Sequence, residues 1–483
     1  MPDIRLTIFI LGNLLVVLAI AMLIPAAVDW LNEDLDWRTF VLSAAITSGI
    51  GGAMVLGFRT PKAPALSARE GFILTTSTWM IMAAFATLPL MLSTSALSFT
   101  DAYFETMSGL TTSGGTVITT LDSTPKGILL WRALLQWLGG VGIIAIAVAI
   151  LPMLRVGGMQ LFRMESSDKS EKVRPRVQQV IGLIIFVYIG LTAACVIGLV
   201  LSGMGLFDAI CHAMSAISTG GFSTRDASVA YYDNAAVEWI LTLFMALGGC
   251  TFVLLARAAF GDVKALWNDS QTRWYVGYMA AFSLMLAVWQ IATTGRGLND
   301  ALRSSAFNVV SIATTTGFVS EDYTLWGSLP IAAMMVIFFI GGCTGSTSGA
   351  IKVFRFCVLG SVAIAQIRHL VHPNRMLLPT YNGKPISDEV VRSVLSFFFF
   401  YIGAFAILTI AIAAFGLDLV TAMSGIAQAL GNVGPGLGAI IGPVGNYASL
   451  PDGAIWILSM AMMLGRLELL TVLVLFSPVF WRG

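Results

Sequence analysis

Apolar runs of spanning length punctuate this chain. A bilayer is crossed by about 20 mainly apolar residues in a helix. Ten such runs are read here: 6–28, 39–58, 71–93, 128–153, 178–202, 237–260, 274–294, 329–360, 392–416 and 453–480. Inside each of the last four pairs lies a shorter apolar stretch, such as 101–110, which is too short to span and reads as re-entrant. Each stretch runs into a small polar turn. The four turns are Thr111, Thr112, Ser113, Gly114; Ser218, Thr219, Gly220, Gly221; Thr314, Thr315, Thr316, Gly317; and Gly431, Asn432, Val433, Gly434. Ser108, Ser215, Ser311 and Gln428 stand three residues before these tetrads. Asp101, Asp208, Ser304 and Thr421, all cap-forming types, stand seven further back and are expected to start short helices. The closing glycines are 107, 96 and 117 residues apart, so one supersecondary unit is used four times.

The expected fold is all-α and polytopic. Two leading helices occupy 1–60. Four membrane–pore-loop–membrane repeats follow in 61–155, 156–262, 263–372 and 373–483, around one pseudo-fourfold pore. Composition agrees: 57% of residues are hydrophobic and 11% are charged, against about 25% charged in a soluble domain. A net charge of +1 gives no case for nucleic acid. Cys195, Cys211, Cys250, Cys343 and Cys357 lack pairing or ligand spacing, and three histidines do not suggest a metal site. The first run, 6–28, exceeds a signal-peptide core of roughly 7–15 residues, so it reads as a retained helix. Pro25, Ala26 and Ala27 are the feature a cleavage site would use.

Lys and Arg concentrate in 59–69, 155–176 and 352–392, whereas the first connection, 29–37, is acidic. By the positive-inside rule both termini are cytoplasmic and the tetrads open outward. The polar stretches 155–176 and 361–391 are the candidate surface for a cytoplasmic partner.

Irregular backbone at membrane depth must be buried in protein or line a wet cavity. Four such turns around one axis direct carbonyls into a common lumen, where they replace a cation's hydration shell. Threonine and serine add hydroxyl oxygens. Each preceding helix ends at its tetrad and presents the negative end of its dipole. No acidic residue lies within the tetrads. Asp101 and Asp208 admit reading as an external cation-attracting ring, but capping explains them more simply.

The second helix of the third repeat is interrupted by Gly341, Gly342, Cys343, Thr344, Gly345, Ser346, Thr347, Ser348 and Gly349. Such a run holds a helix poorly. It reads as a mobile gate, the alternative being a close helix crossing. Arg466 sits in an apolar run, where a charge costs at least a few kcal/mol and marks function by default. Glu468 faces another way and is a poor local partner. A hydrolase built on His212 lacks any nucleophile motif. A proton- or sodium-coupled secondary transporter calls for midplane acids, and the spans hold few. The run 434–438 lacks the strand context of a nucleotide fingerprint.

The motifs SGLTTSGGT at 108–116, SAISTGGFST at 215–224, SIATTTGF at 311–318 and GNVGPGLG at 431–438 together resemble the Trk/Ktr/HKT superfamily of cation transporters. Length and the two leading helices resemble its TrkH branch, and the likeness covers essentially the full chain. It implies potassium uptake at a bacterial inner membrane, with the tetrads as selectivity filter and potassium as the transported ion. It implies an intramembrane gate at the GGCTGST run and a cation barrier at Arg466. It also implies a homodimer set in membrane lipid, and a separate TrkA-type cytoplasmic subunit that binds the nucleotide (ATP, ADP or NAD). The fourth tetrad departs from the pattern, with Asn432 and Val433 in place of hydroxyl residues.

Overall fold

The computed structural model describes residues 4–59, 67–149, 173–374 and 378–482. Most of the 155–176 stretch, and 375–377 within the second candidate docking stretch, therefore lie outside the described residues. Among the described residues eight helices are long and apolar enough to cross a membrane, or up to ten when each of two bent pairs counts as one span. Their outward faces carry bare apolar side chains such as Leu243, Phe399 and Ile410, as a lipid-facing surface requires.

The leading helices Ile4–Leu31 and Trp37–Gly57 cross closely through glycines. A Cβ at Gly12 would lie 2.8 Å from the Gly51 carbonyl oxygen, so small residues set the separation. The acidic connection then clasps the next segment. Asp29 accepts from the Gly127 amide at 2.5 Å, and Asp36 accepts from the Thr94 hydroxyl at 2.9 Å.

Four short helices lead into the tetrads: Phe99–Leu110, Leu206–Ile217, Leu298–Ala313 and Leu419–Gly431. Their starts differ from the expected caps. The cap residues are Ser98, Gly205, Gly297 and Asp418. Asp101, Asp208 and Thr421 sit three residues inside, and Ser304 lies mid-helix. Ser98 and Asp418 accept from the amides of Asp101 and Thr421, each at 3.1 Å. The acidic Asp101 and Asp208 instead complement the helix dipole from the first turn.

The helices after the tetrads also depart from expectation. The first, Lys126–Ala149, is continuous. The second bends by 109° between Ala235–Gly248 and Phe252–Ala259. The third stops at Ile337, and a separate helix, Val353–Val371, occupies part of the stretch expected as cytoplasmic loop. The fourth bends by 104° after Arg466, where Glu468 takes a left-handed φ of 60°. A hairpin, Thr380–Tyr381 with Lys384–Pro385, turns through Asn382 and Gly383 and docks on Asp269, which receives the Asn382 amide at 3.0 Å.

Candidate ion-conducting site

The tetrads share one backbone course. In each, the second amide donates to the carbonyl two residues before the tetrad (Gly109, Ala216, Ile312, Ala429). The third amide donates to the carbonyl three residues before it (Ser108, Ser215, Ser311, Gln428). Helix-end bonds thus consume the amides and leave carbonyls over. The second residues Thr112, Thr219, Thr315 and Asn432 have φ of 53°, 52°, 59° and 53°. Left-handed non-glycine residues are uncommon, and four at equivalent positions mark a constrained site. The fourth residues Gly114, Gly221, Gly317 and Gly434 follow at 89°, 77°, 87° and 106°.

These glycines also set the spacing between tetrads. A Cβ on Gly114 would lie 2.3 Å from the Gly220 oxygen, and one on Gly221 would lie 1.9 Å from that of Thr316. On Gly317 it would lie 2.1 Å from the Val433 oxygen, and on Gly434 2.7 Å from that of Ser113. Each closing glycine abuts the third carbonyl of the next tetrad, and the fourth returns to the first. The turns form a closed ring, and a glycine sits at every junction.

Side chains six residues before each tetrad hold the returning limbs. Glu105 accepts from the Thr116 hydroxyl at 3.0 Å, from the Val117 amide at 2.9 Å and from Arg132 Nε at 2.6 Å. Arg132 continues to the Ser223 carbonyl at 2.9 Å, so one buried ion pair ties two neighbouring limbs. His212 meets the Ser223 hydroxyl at 3.0 Å, and Asn308 donates to the Ser320 hydroxyl at 2.9 Å. His212 is thus a brace within the wall of the ring. Gly425 holds this position in the fourth copy, where Tyr447 donates to the Gly434 carbonyl at 2.7 Å instead.

The Gly341–Gly349 run forms an irregular loop whose neck is closed by a parallel bridge between Ile340 and Ile351. It packs directly against three tetrads. Thr347 Oγ1 lies 3.2 Å from Thr219 Oγ1, Ser348 Oγ lies 3.2 Å from Thr315 Oγ1, and the Gly349 amide donates to Thr315 at 2.7 Å. The Ala350 amide donates to the Gly431 carbonyl at 2.8 Å. The second-position hydroxyls of Thr219 and Thr315 are thereby occupied by the loop. Thr112, in the remaining tetrad, has a buried hydroxyl without a hydrogen-bond partner among the described residues. Asn432 donates to the Ser113 hydroxyl of the adjoining first tetrad at 2.8 Å. The loop's far side rests on the second-repeat bend: Cys343 donates to the Gly249 carbonyl at 2.8 Å, and Thr251 to that of Thr344 at 2.9 Å.

Arg466 is buried and donates to the Thr347 carbonyl at 2.7 Å. Among the described residues its Nε and second terminal nitrogen have no hydrogen-bond partner, and it has no acidic one. Glu468 pairs with Arg355, whose guanidinium lies 3.7 Å over the Phe397 ring. Lys352 donates to the Ser348 carbonyl. Arg466, Lys352, Gly345, Ser346, Glu468 and Ile143 line a small cavity on this side of the ring. The cavity thus brings the Arg466 guanidinium up against the loop that is hydrogen-bonded to the tetrads.

This arrangement matches known proteins over its whole length. The profile of the TrkH family, described as a cation transport protein, matches residues 38–482. The chain belongs to the TrkH family. The Trk system potassium uptake protein TrkI of Halomonas elongata is 42% identical over 98% of this chain and 96% of its own. The Trk system potassium uptake protein TrkH of Escherichia coli is 37% identical over 98% of both. The crystal structure of the potassium transporter TrkH from Vibrio parahaemolyticus superposes with a TM-score of 0.91. It is 35% identical and covers 99% of this chain and 100% of that one. These relatives are named as transporters, not enzymes.

One feature of this TrkH-family chain escaped the sequence reading although its signal is plain. Gly139 and Gly140, Gly248 and Gly249, and Gly341 and Gly342 recur in the segments after the tetrads, with Gly465 and Arg466 as the fourth pair. A Cβ on Gly139 would lie 2.0 Å from the Leu110 oxygen, and one on Gly465 2.0 Å from that of Leu430. Each of those carbonyls immediately precedes a tetrad. Arg466 therefore occupies the place where the other three copies leave glycine. The ion pairs of Glu105 and Glu468 left no comparable signal, because their partners are distant in sequence.

Proposed function

We propose that the chain takes up potassium across the bacterial cytoplasmic membrane through a channel-like pore. The four tetrads are its selectivity filter: Thr111–Gly114, Ser218–Gly221, Thr314–Gly317 and Gly431–Gly434 supply carbonyl and hydroxyl oxygens. The observation that carries this reading is the closed ring of glycine-to-carbonyl contacts, with helix-end amides already consumed. Such oxygens replace hydration without a fixed negative charge.

The gate is the Gly341–Gly349 loop together with Arg466. Its support is the set of hydrogen bonds from Thr347, Ser348, Gly349 and Ala350 to three tetrads. The unpaired guanidinium opposes a cation in the same cavity. Conduction requires the loop to leave. Carboxylates near the pathway, Glu105 and Glu468, are held by arginines, which favours a channel-like mechanism over a proton- or sodium-coupled carrier.

The leading helices occupy 1–60, and the pore repeats 61–155, 156–262, 263–372 and 373–483, with both termini cytoplasmic and the filter opening outward. The relatives named as parts of a Trk system support a multi-component assembly. In it this chain is a homodimer under a TrkA-type cytoplasmic subunit, which alone holds nucleotide. Potassium, rubidium, sodium and lithium uptake into proteoliposomes tests the reading. Potassium and rubidium should enter well ahead of sodium, without an imposed proton or sodium gradient. Strict dependence on such a gradient would replace the channel by a carrier.

A further inference from the structure

Three of the four third-position residues carry a side chain. Ser113 Oγ lies 3.0 Å from Thr111 Oγ1 and accepts from Asn432 at 2.8 Å. Thr316 Oγ1 lies 2.7 Å from Thr314 Oγ1, and Val433 is fully buried. The second tetrad has Gly220 there. A Cβ on Gly220 would lie 2.3 Å from Gln136 Cδ and 2.5 Å from Gln136 Oε1, so the glutamine fills the space a side chain would take.

Gln136 is fully buried and comes from the helix of the preceding repeat. Its Nε2 donates to the Gly220 carbonyl at 2.5 Å, and its Oε1 accepts from the Phe222 amide at 3.1 Å. The carboxamide thus grips the backbone on both sides of Gly221. One helical turn earlier, Arg132 holds the Ser223 carbonyl. Among the described residues, the carbonyls of Ser113, Thr316 and Val433 receive no hydrogen bond. The second tetrad is alone in having its third carbonyl oriented by a donor from outside the tetrad.

We propose that Gln136 is a positioning residue for ion selectivity: it replaces the missing side chain of Gly220 and fixes the direction of that carbonyl. The proposal rests on the tetrads being the filter. Glycine leaves the peptide between residues 220 and 221 with the most freedom in the ring, and the two bonds from Gln136 remove it. Gln136 and Gly220 are therefore one unit.

The test is a double-substitution cycle read as the ratio of potassium to sodium uptake in proteoliposomes, which does not depend on the amount of folded protein. Gln136→Ala should lower the ratio about tenfold, the weight of a buried hydrogen-bond pair. Gly220→Ser should abolish uptake, because its Cβ meets Gln136. The double variant, Gln136→Ala with Gly220→Ser, should recover uptake and most of the ratio, as the serine takes the vacated space. Gln136→Met, which keeps the volume but cannot bond, should behave as Gln136→Ala if orientation is the role, and as wild type if filling alone matters; the latter overturns the proposal. Gly114→Ala separates the two readings. If it lowers the ratio while Gln136→Ala does not, Gln136 has no such role and the filter stands. If neither moves the ratio, the filter reading falls and this inference with it.

Discussion

Replacing Gly221 by alanine sets a methyl group 1.9 Å from the Thr316 carbonyl oxygen, where ordinary contact begins at 3.4 Å. About 1.5 Å of space must therefore open between the second and third tetrads, and the atom in the way is a backbone oxygen, not the end of a flexible side chain. The left-handed backbone adds about 1–2 kcal/mol for alanine, and the forced fit about 1–3 kcal/mol. The total is below the roughly 5–15 kcal/mol that holds a native protein together, so the chain should fold with a distorted ring. Displacing one oxygen of the proposed filter would remove an interaction of about 1.5–3 kcal/mol. The ratio of potassium to sodium uptake should fall by about tenfold or more. Gly295→Ala is the control: its φ is 66°, yet nothing lies within 4 Å of the added carbon. It carries the backbone strain without moving any carbonyl, and its ratio should match wild type. The reasoning is refuted if Gly221→Ala folds and retains the wild-type ratio, or if Gly295→Ala loses it equally.

Other outcomes follow from the same contacts. Arg466→Ala should raise basal cation flux on the order of tenfold, since like unit charges still repel by about 2 kcal/mol at a separation of about 8 Å and an effective dielectric of about 20; unchanged or slower flux in folded protein would remove the barrier. Gly349→Ala places a carbon 2.2 Å from the Gly431 oxygen, so the loop should seat poorly and the shut protein should leak, which stopped-flow uptake without any regulator would detect. Glu105→Ala strands the buried Arg132 guanidinium and should cost about 3–5 kcal/mol, read as a large drop in melting temperature. Pairing it with Arg132→Met should recover much of that loss.

The ring was legible because its chemistry is local. Each tetrad is contiguous, its glycine answers a local φ requirement, and repetition at similar intervals multiplies a weak motif into a strong one. The interruption at 341–349 was legible for the same reason. The bends at 249–251 and 467–469 were not, because Cys250, Leu467 and Leu469 keep the hydropathy high while the backbone turns. Part of the helix Val353–Val371 reads as loop in the sequence because Lys352, Arg355 and Arg368 resemble loop charges, whereas Arg355 is buried against Glu468. The first, second and fourth of the short helices start one turn, and the third two turns, before the residues expected as caps; for Asp101 and Asp208 the reason is that aspartate favours the first turn almost as strongly as the cap. The braces are beyond sequence reasoning: Glu105 meets Arg132, and Gln136 meets Gly220, only once the repeats have closed.

The most direct test of the central claim is the anomalous scattering of rubidium in crystals of the purified chain. The account predicts peaks on the axis enclosed by Thr111–Gly114, Ser218–Gly221, Thr314–Gly317 and Gly431–Gly434, weakened in Gly221→Ala. Rubidium bound elsewhere in the membrane region, with none among the tetrads, would contradict it.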